Sequence, residues 1–395
     1  MSASELSMQP VTDLPRPEVS EQSMRPVSGW RRAWRGLLAG VTWHGGLVVL
    51  VAGLAGLAAF PLLNLCALGY LVEAGGRVAT TGRWRSGFIG IRPASRLGGM
   101  VAGLWLVLLP VRLVVDLAKD AELIAPGSAT ADGWRAGAMI LGGVVTFHVV
   151  WAVLRGGRFR HFLWPAPRAF VRWAKGTDKL AAVSELAGTL AGGLQLPRYF
   201  WLGTRALLGT AAWLALPVLA LFGAAQLPAG AGAGVLSLIG AASLMMVAVQ
   251  LPFLQTRFAR TKRWRAMFEI RAVRAAYGRA PLAFALALTL TLGTAIPLYL
   301  LKIELPPREL VWLPGVLFIV SGWPARLAAG WALHRAGKRE RPCHRLLRWS
   351  ARAGLVTIAM AYVLAVYFNQ YLSWNGSYSL LEQHAFTVPT PGGRW

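Results

Sequence analysis

Long apolar stretches separated by short arginine-bearing ones set the pattern of this chain from residue 36 to residue 372. A helix that crosses a bilayer needs about 20 mostly apolar residues, since each adds 1.5 Å toward roughly 30 Å of hydrocarbon. The pattern predicts such helices over 97–118, 136–154, 201–224, 232–254, 282–301, 310–332 and 353–372. Between Arg35 and Glu73 lies a further run of 37 residues without Asp, Glu, Lys or Arg. As one helix it would measure about 56 Å, too long for a single crossing even when tilted. It reads as a hairpin over 36–72, either two short helices joined near Gly53 and Gly56 or a re-entrant pair broken at Pro61.

Two shorter segments repeat their apolar residues at helical spacing. In 177–196 these are Leu180, Val183, Leu186, Leu190 and Leu194; in 266–279 they are Met267, Ile270, Val273 and Tyr277, with Arg271 and Arg274 opposite. Both predict amphipathic helices lying on a membrane surface or docking a partner. Residues 1–28 are polar and Pro-rich and carry Glu5, Asp13, Glu18 and Glu21. They read as a disordered tail; acids argue against a transit peptide, and the first apolar run is too long for a signal peptide.

Composition sharpens this reading. Hydrophobic residues make up 55% of the 395 and charged residues only 14%. A soluble domain carries about 25% charged residues, which excludes an ordinary cytosolic enzyme, and such apolarity excludes disorder for most of the chain. The formal charge is +25, and its placement gives an orientation. Connectors 73–96, 155–205, 257–279 and 335–352 hold 29 Lys and Arg, whereas 119–135, 225–231, 302–309 and the C-terminal tail hold five. Lys and Arg collect on the cytoplasmic side. A cytoplasmic N-terminus, seven full spans after the hairpin, and an extracytoplasmic tail at 373–395 follow as expectations. The preference for Arg over Lys, with abundant Ala and Gly, suits a high-GC prokaryotic source, for which the expected location is the inner membrane.

The chain also repeats itself. GRVATTGRWRSGF at 76–88 and TRFARTKRWRAMF at 256–268 share seven of thirteen positions, and WAVLRGGR at 151–158 matches WALHRAGK at 331–338 at the same offset of 180. Each match begins at the arginine-rich end of an apolar segment. The expected fold is therefore all-α, a polytopic bundle of about eight or nine membrane segments. It is built from a parallel repeat over roughly 30–160 and 200–340 plus one C-terminal helix.

In the repeated T-x-R-W-R-x-x-F, tryptophan suits the headgroup level and arginine reaches lipid phosphate. Arg83, Trp84, Arg85, Arg263, Trp264 and Arg265 are thus candidate contacts to anionic phospholipid headgroups, at about 1 kcal/mol per cation. Ionisable and polar residues inside the spans are the other candidates. Arg112 and Asp116, spaced i and i+4 and followed by Lys119 and Asp120, suggest a charge ladder near the outer surface; Arg326 follows Pro324 and is expected to snorkel to the inner one. His148 falls deeper, and Asn64 lies near mid-depth beside Pro61. Glu73 reads as the i, i+4 partner of Arg77.

Catalytic and nucleotide motifs are missing: the sequence holds no H-E-x-x-H, G-x-S-x-G or Walker A run. GAGAG at 230–234 lacks both the preceding strand and the following Lys of a phosphate loop. Cys66 and Cys343 sit in unrelated contexts, so neither a disulfide, a metal site nor a cofactor is expected. Nucleic acid is not an expected partner, because the basic residues are divided among short connectors.

The run PLLNLCALGYLVEAGGRVATTGRWRSGF (61–88) resembles the signature of an uncharacterised family of bacterial polytopic membrane proteins. There an apolar hairpin ends in Gly-Tyr-Leu and a basic turn leads to Gly-Phe or Gly-Leu; here these are Gly69, Tyr70, Leu71, Arg77, Gly87 and Phe88. The likeness covers roughly residues 44–103, and an acidic-Trp element is replaced by Arg83-Trp84-Arg85. It implies a membrane location and no activity.

Three functional classes remain. One is a non-enzymatic scaffold or complex subunit whose basic loops bind anionic phospholipid or an acidic protein partner. The second is a permease-like component with Asn64, His148 and Arg326 along a path. An intramembrane lipid-modifying enzyme ranks last, because its only acid–base candidates are Asp116, Asp120, Glu73 and His148.

Overall fold

The computed structural model describes residues 29–176, 195–295 and 312–381, with isolated positions between them. Among these every regular element is helical. In chain order they are α1 (Gly29–Ala59), α2 (Asn64–Thr81), α3 (Ile91–Ile124), α4 (Ala129–Leu154), α5 (Phe159–Leu163) and α6 (Pro167–Lys175). The second half of the chain adds α7 (Leu196–Gln226), α8 (Ala231–Thr261), α9 (Ile270–Arg279), α10 (Pro281–Gly293), α11 (Leu313–Gly337) and α12 (Arg345–Leu372). Among the described residues seven helices, α1, α3, α4, α7, α8, α11 and α12, are long and apolar enough to cross a membrane, as in a multi-pass membrane protein, and the bent pair α9–α10 makes an eighth if counted as one span.

The span expected over 282–301 breaks early: α10 ends at Gly293, and 294–295 form a turn. Most of the amphipathic segment at 177–196, the tail 1–28 and the end of the C-terminal tail fall outside the described residues. The chain divides into residues 1–42 and residues 43–395. Of the former, the described part is the opening of α1, with Trp30 exposed. The latter holds the buried core and every candidate residue.

Several helices run past the apolar stretches that announce them. α3 has 34 residues, α7 and α8 have 31 each, because arginine, which fills the ends of these helices, favours helix about as well as leucine does. The run 36–72 is broken at 60–63, where Pro61 lacks an amide hydrogen and Leu62 takes φ 66°. The amides of Leu63, Asn64, Leu65 and Cys66 find carbonyls within this turn. Phe60, Leu62 and Leu63 are exposed around it.

α2 is the central helix, packed against α7, α8 and α11. Lipid tails are as apolar as leucine, so contact between helices rests on close packing and glycine allows it. A Cβ at Gly69 would stand 1.9 Å from the Tyr199 carbonyl oxygen, and one at Gly203 1.9 Å from that of Leu65. α3 and α4 form a peripheral pair with α5.

The internal repeat is visible in the backbone. Residues 71–80 and 251–260 share one burial pattern, position by position. Each helix ends in a left-handed residue, Gly82 (φ 72°) or Lys262 (φ 58°). An extended arginine follows, Arg83 (φ −100°, ψ 120°) or Arg263 (φ −102°, ψ 120°), and then a 3₁₀ turn, Trp84–Gly87 or Trp264–Phe268.

Candidate functional site

The repeated letters hold the turn together. Thr81 Oγ1 donates to the Arg77 carbonyl (2.9 Å) and accepts from the Arg83 amide (3.2 Å). Thr261 Oγ1 does the same with the Arg257 carbonyl (3.0 Å) and the Arg263 amide (3.4 Å). The amides of Gly82 and Lys262 close each helix on the carbonyls of Val78 and Phe258, both at 2.8 Å. So fixed, the turns leave all six of Arg83, Trp84, Arg85, Arg263, Trp264 and Arg265 exposed, the two indoles at 42% and 48%. Trp84 tilts against Trp331, over which Arg335 lies at 5.4 Å, and Trp264 Nε1 donates to the Arg205 carbonyl (3.3 Å).

Behind the turns lies a charge centre. Glu73, almost fully buried, receives Arg77 Nε at 3.3 Å, Arg198 Nη2 at 2.9 Å and the Lys262 ammonium. The cations come from α2, α7 and the end of α8. Burial alone would raise the carboxyl's pKa, but Lys262, Arg198 and Arg77 outweigh it and hold Glu73 below the usual carboxylate range. Sequence spacing reveals only Arg77; Arg198 and Lys262 lie 125 and 189 residues away. In the second copy Arg257 turns instead to Glu269, at 2.7 Å.

Two of the same helices, α7 and α8, hold a second polar centre. Arg326, 7% exposed, donates to Gln255 Oε1, and the Gln255 amide donates to the Thr210 hydroxyl, so α11, α8 and α7 are joined. Arg326 therefore does not snorkel to the surface as expected. A buried acceptor holds its guanidinium, and its own backbone carbonyl lies against Gly75, leaving 2.9 Å for any Cβ there. Positions 75 and 255 correspond in the repeat, so Arg326 is held at equivalent places by both copies.

The remaining candidates are scattered. His148 Nε2 donates to the Phe162 carbonyl (2.6 Å) and Trp151 Nε1 to that of Pro165 (2.7 Å), which fastens α5 to α4. Arg155 Nη2 adds the Trp164 carbonyl at 2.7 Å. Beside it, burial and the charges of Arg155, Arg160, Arg158 and Arg96 push His161 down to about 4. The ladder at the far end of α3 is made by Lys119 on Asp116 (3.2 Å) rather than by Arg112, which is exposed. Asn64 opens α2 at the hairpin turn. Asn64 and Arg326 sit on the packed helices α2 and α11, whereas His148 belongs to the peripheral group of α3, α4 and α5.

The helix expected over 266–279 starts only at Ile270, with Met267 in the preceding 3₁₀ turn; in α9 Val273 is buried and Arg271 and Arg274 are exposed, and α9 bends 115° into α10. Among the described residues no group of His, Cys, Asp and Glu could hold a metal ion, and Cys66 and Cys343 are free thiols. No protein-family model, curated protein or solved structure matches the chain.

Proposed function

We propose that this chain acts as a non-enzymatic scaffold or complex subunit of a prokaryotic inner membrane, holding anionic phospholipid headgroups at its arginine-rich, cytoplasmic end. One observation carries the reading: two turns 180 residues apart present Arg-Trp-Arg in one conformation, with all six side chains exposed. Indoles at headgroup depth flanked by guanidiniums suit a layer of phosphates, and about 1 kcal/mol per cation gives useful affinity only when several act together. The N-terminus is then cytoplasmic and the C-terminus extracytoplasmic.

In this reading the α1–α2 hairpin enters and leaves on the cytoplasmic side. α1 carries an apolar stretch over 39–59 that is long enough to cross, and α2 spans about 27 Å. Its tip is apolar and exposed, with amides paired inside the turn, as hydrocarbon requires. The test is to purify the protein in native lipid and quantify what stays bound. Replacing Arg83, Arg85, Arg263 and Arg265 by Gln should remove most anionic phospholipid; unchanged retention would refute the scaffold reading.

A permease-like component is the second reading, favoured by the buried Arg326–Gln255 pair. It requires Arg326→Met to abolish transport into vesicles while the protein stays folded.

A further inference from the structure

The repeat places a cleft at the same point of each copy, and the two clefts differ in chemistry. The first, about 270 Å³, is lined at Tyr70, Pro93, Ala94 and Leu97. The second, about 490 Å³, is lined at the corresponding positions by Gln250, Val273, Arg274 and Tyr277. In the first, α1 supplies an apolar wall with Val49, Leu50, Leu54 and Leu57; in the second, α12 supplies Trp349, Arg352, Leu355 and Val356. One copy of the cleft is therefore apolar, while the other joins an apolar throat to a cationic mouth.

The mouth is organised for an anion. Arg352 lies over the rings of Tyr277 (5.9 Å) and Trp349 (5.4 Å), which fixes its guanidinium beside the opening. Tyr277 is itself held by donating to the Arg348 carbonyl at 3.0 Å. Arg274 is exposed on α9, and the described lining includes no Asp or Glu. Two buried polar atoms here have no hydrogen-bond partner: Oε1 of Gln250, which lines the cleft, and Nε of Arg348, one turn before Arg352. Native structures rarely leave such atoms unused. Phe253, stacked on Phe284 at 4.2 Å, and Leu355 form a buried apolar floor, and half-buried Val249 with exposed Val356 forms its outward-facing edge. A hydrated ion gains nothing from that throat, whereas an acyl chain does.

We infer that the second-copy cleft seats one anionic glycerophospholipid, its phosphate between Arg274 and Arg352 and one acyl chain along Val249, Phe253 and Val356. The amide of Gln250 then meets the glycerol region, where either end of an amide finds a partner in hydroxyl or ester oxygen. The inference rests on the reading that the arginine-rich end faces anionic lipid, and adds to it a single stoichiometric seat.

The test is native mass spectrometry of delipidated protein titrated with phosphatidylglycerol and phosphatidylcholine of identical chains. Wild type should hold one phosphatidylglycerol per chain through washing, should not hold phosphatidylcholine, and should not release the lipid to millimolar inorganic phosphate. Arg274→Gln with Arg352→Gln should lower occupancy at least about tenfold. Val356→Trp, which crowds the exposed apolar edge along which the chain would lie and keeps both charges, should do the same, and circular dichroism checks that each variant stays helical. Equal occupancy in wild type and both variants overturns the seat, as does release by free phosphate. Loss that tracks only the Arg-Trp-Arg substitutions overturns the seat and leaves the scaffold reading standing. Loss in the cleft variants alone upholds the seat and removes the turns from lipid binding.

Discussion

The two copies of the helix-and-turn unit agree in backbone and burial yet differ at a handful of positions, and those differences do the joining. Where the first copy has Gly82, a Cβ would stand 2.3 Å from the His334 imidazole; glycine meets the left-handed angle and the lack of room together. Where the second copy has Lys262, the same angle is held by a residue that disfavours it, and its ammonium reaches across to Glu73 of the first. Position 75 is glycine against the Arg326 backbone, and position 255 is glutamine on the Arg326 side chain. The lesson is that divergence between equal units can supply the bonds that hold them together.

The comparison breaks most severely at Gln255. Gln255→Leu leaves a buried guanidinium without its acceptor, and a loss of about 3–5 kcal/mol is expected, read as thermal unfolding in detergent. Adding Arg326→Met to that variant should recover most of it, since two apolar residues replace the pair. Gly69→Ala comes next. Its Cβ meets backbone, which cannot yield, and about 3 kcal/mol should be lost; Val249→Ala at the matching position should cost about 1 kcal/mol.

Glu73→Gln should cost about 2–3 kcal/mol at neutral pH, because three cations lose their carboxylate. The sign with pH follows from a folded pKa lower than the unfolded value. The stabilisation is complete above the ordinary carboxylate value of about 4.3 and is lost as pH falls through the lower folded value. Wild-type stability should therefore drop on acidification below about pH 4, and that of Glu73→Gln should not drop with it. The smallest effect is expected for Lys262→Gly. Relief of the left-handed angle, about 1 kcal/mol, offsets much of the lost ion pair, so unfolding should shift little.

Much of this architecture is legible in the residues. The apolar runs locate the long helices, Pro61 locates the hairpin break, and the spacing of Val273, Arg274 and Tyr277 gives α9 its faces. Arg326 is misread from sequence because a glutamine on another helix, 71 residues away, carries no sign that it will accept a buried charge. The Glu73 centre is half readable, since only its i+4 partner is local. His148 reads as a membrane histidine of interest, yet a backbone carbonyl fourteen residues on occupies it.

The central claim is that both Arg-Trp-Arg turns face the cytosol. With Cys66 and Cys343 replaced by Ala, Arg85→Cys and Arg265→Cys should each resist a membrane-impermeant thiol reagent in intact cells and react once the membrane is opened. Reaction of either site in intact cells would contradict the account.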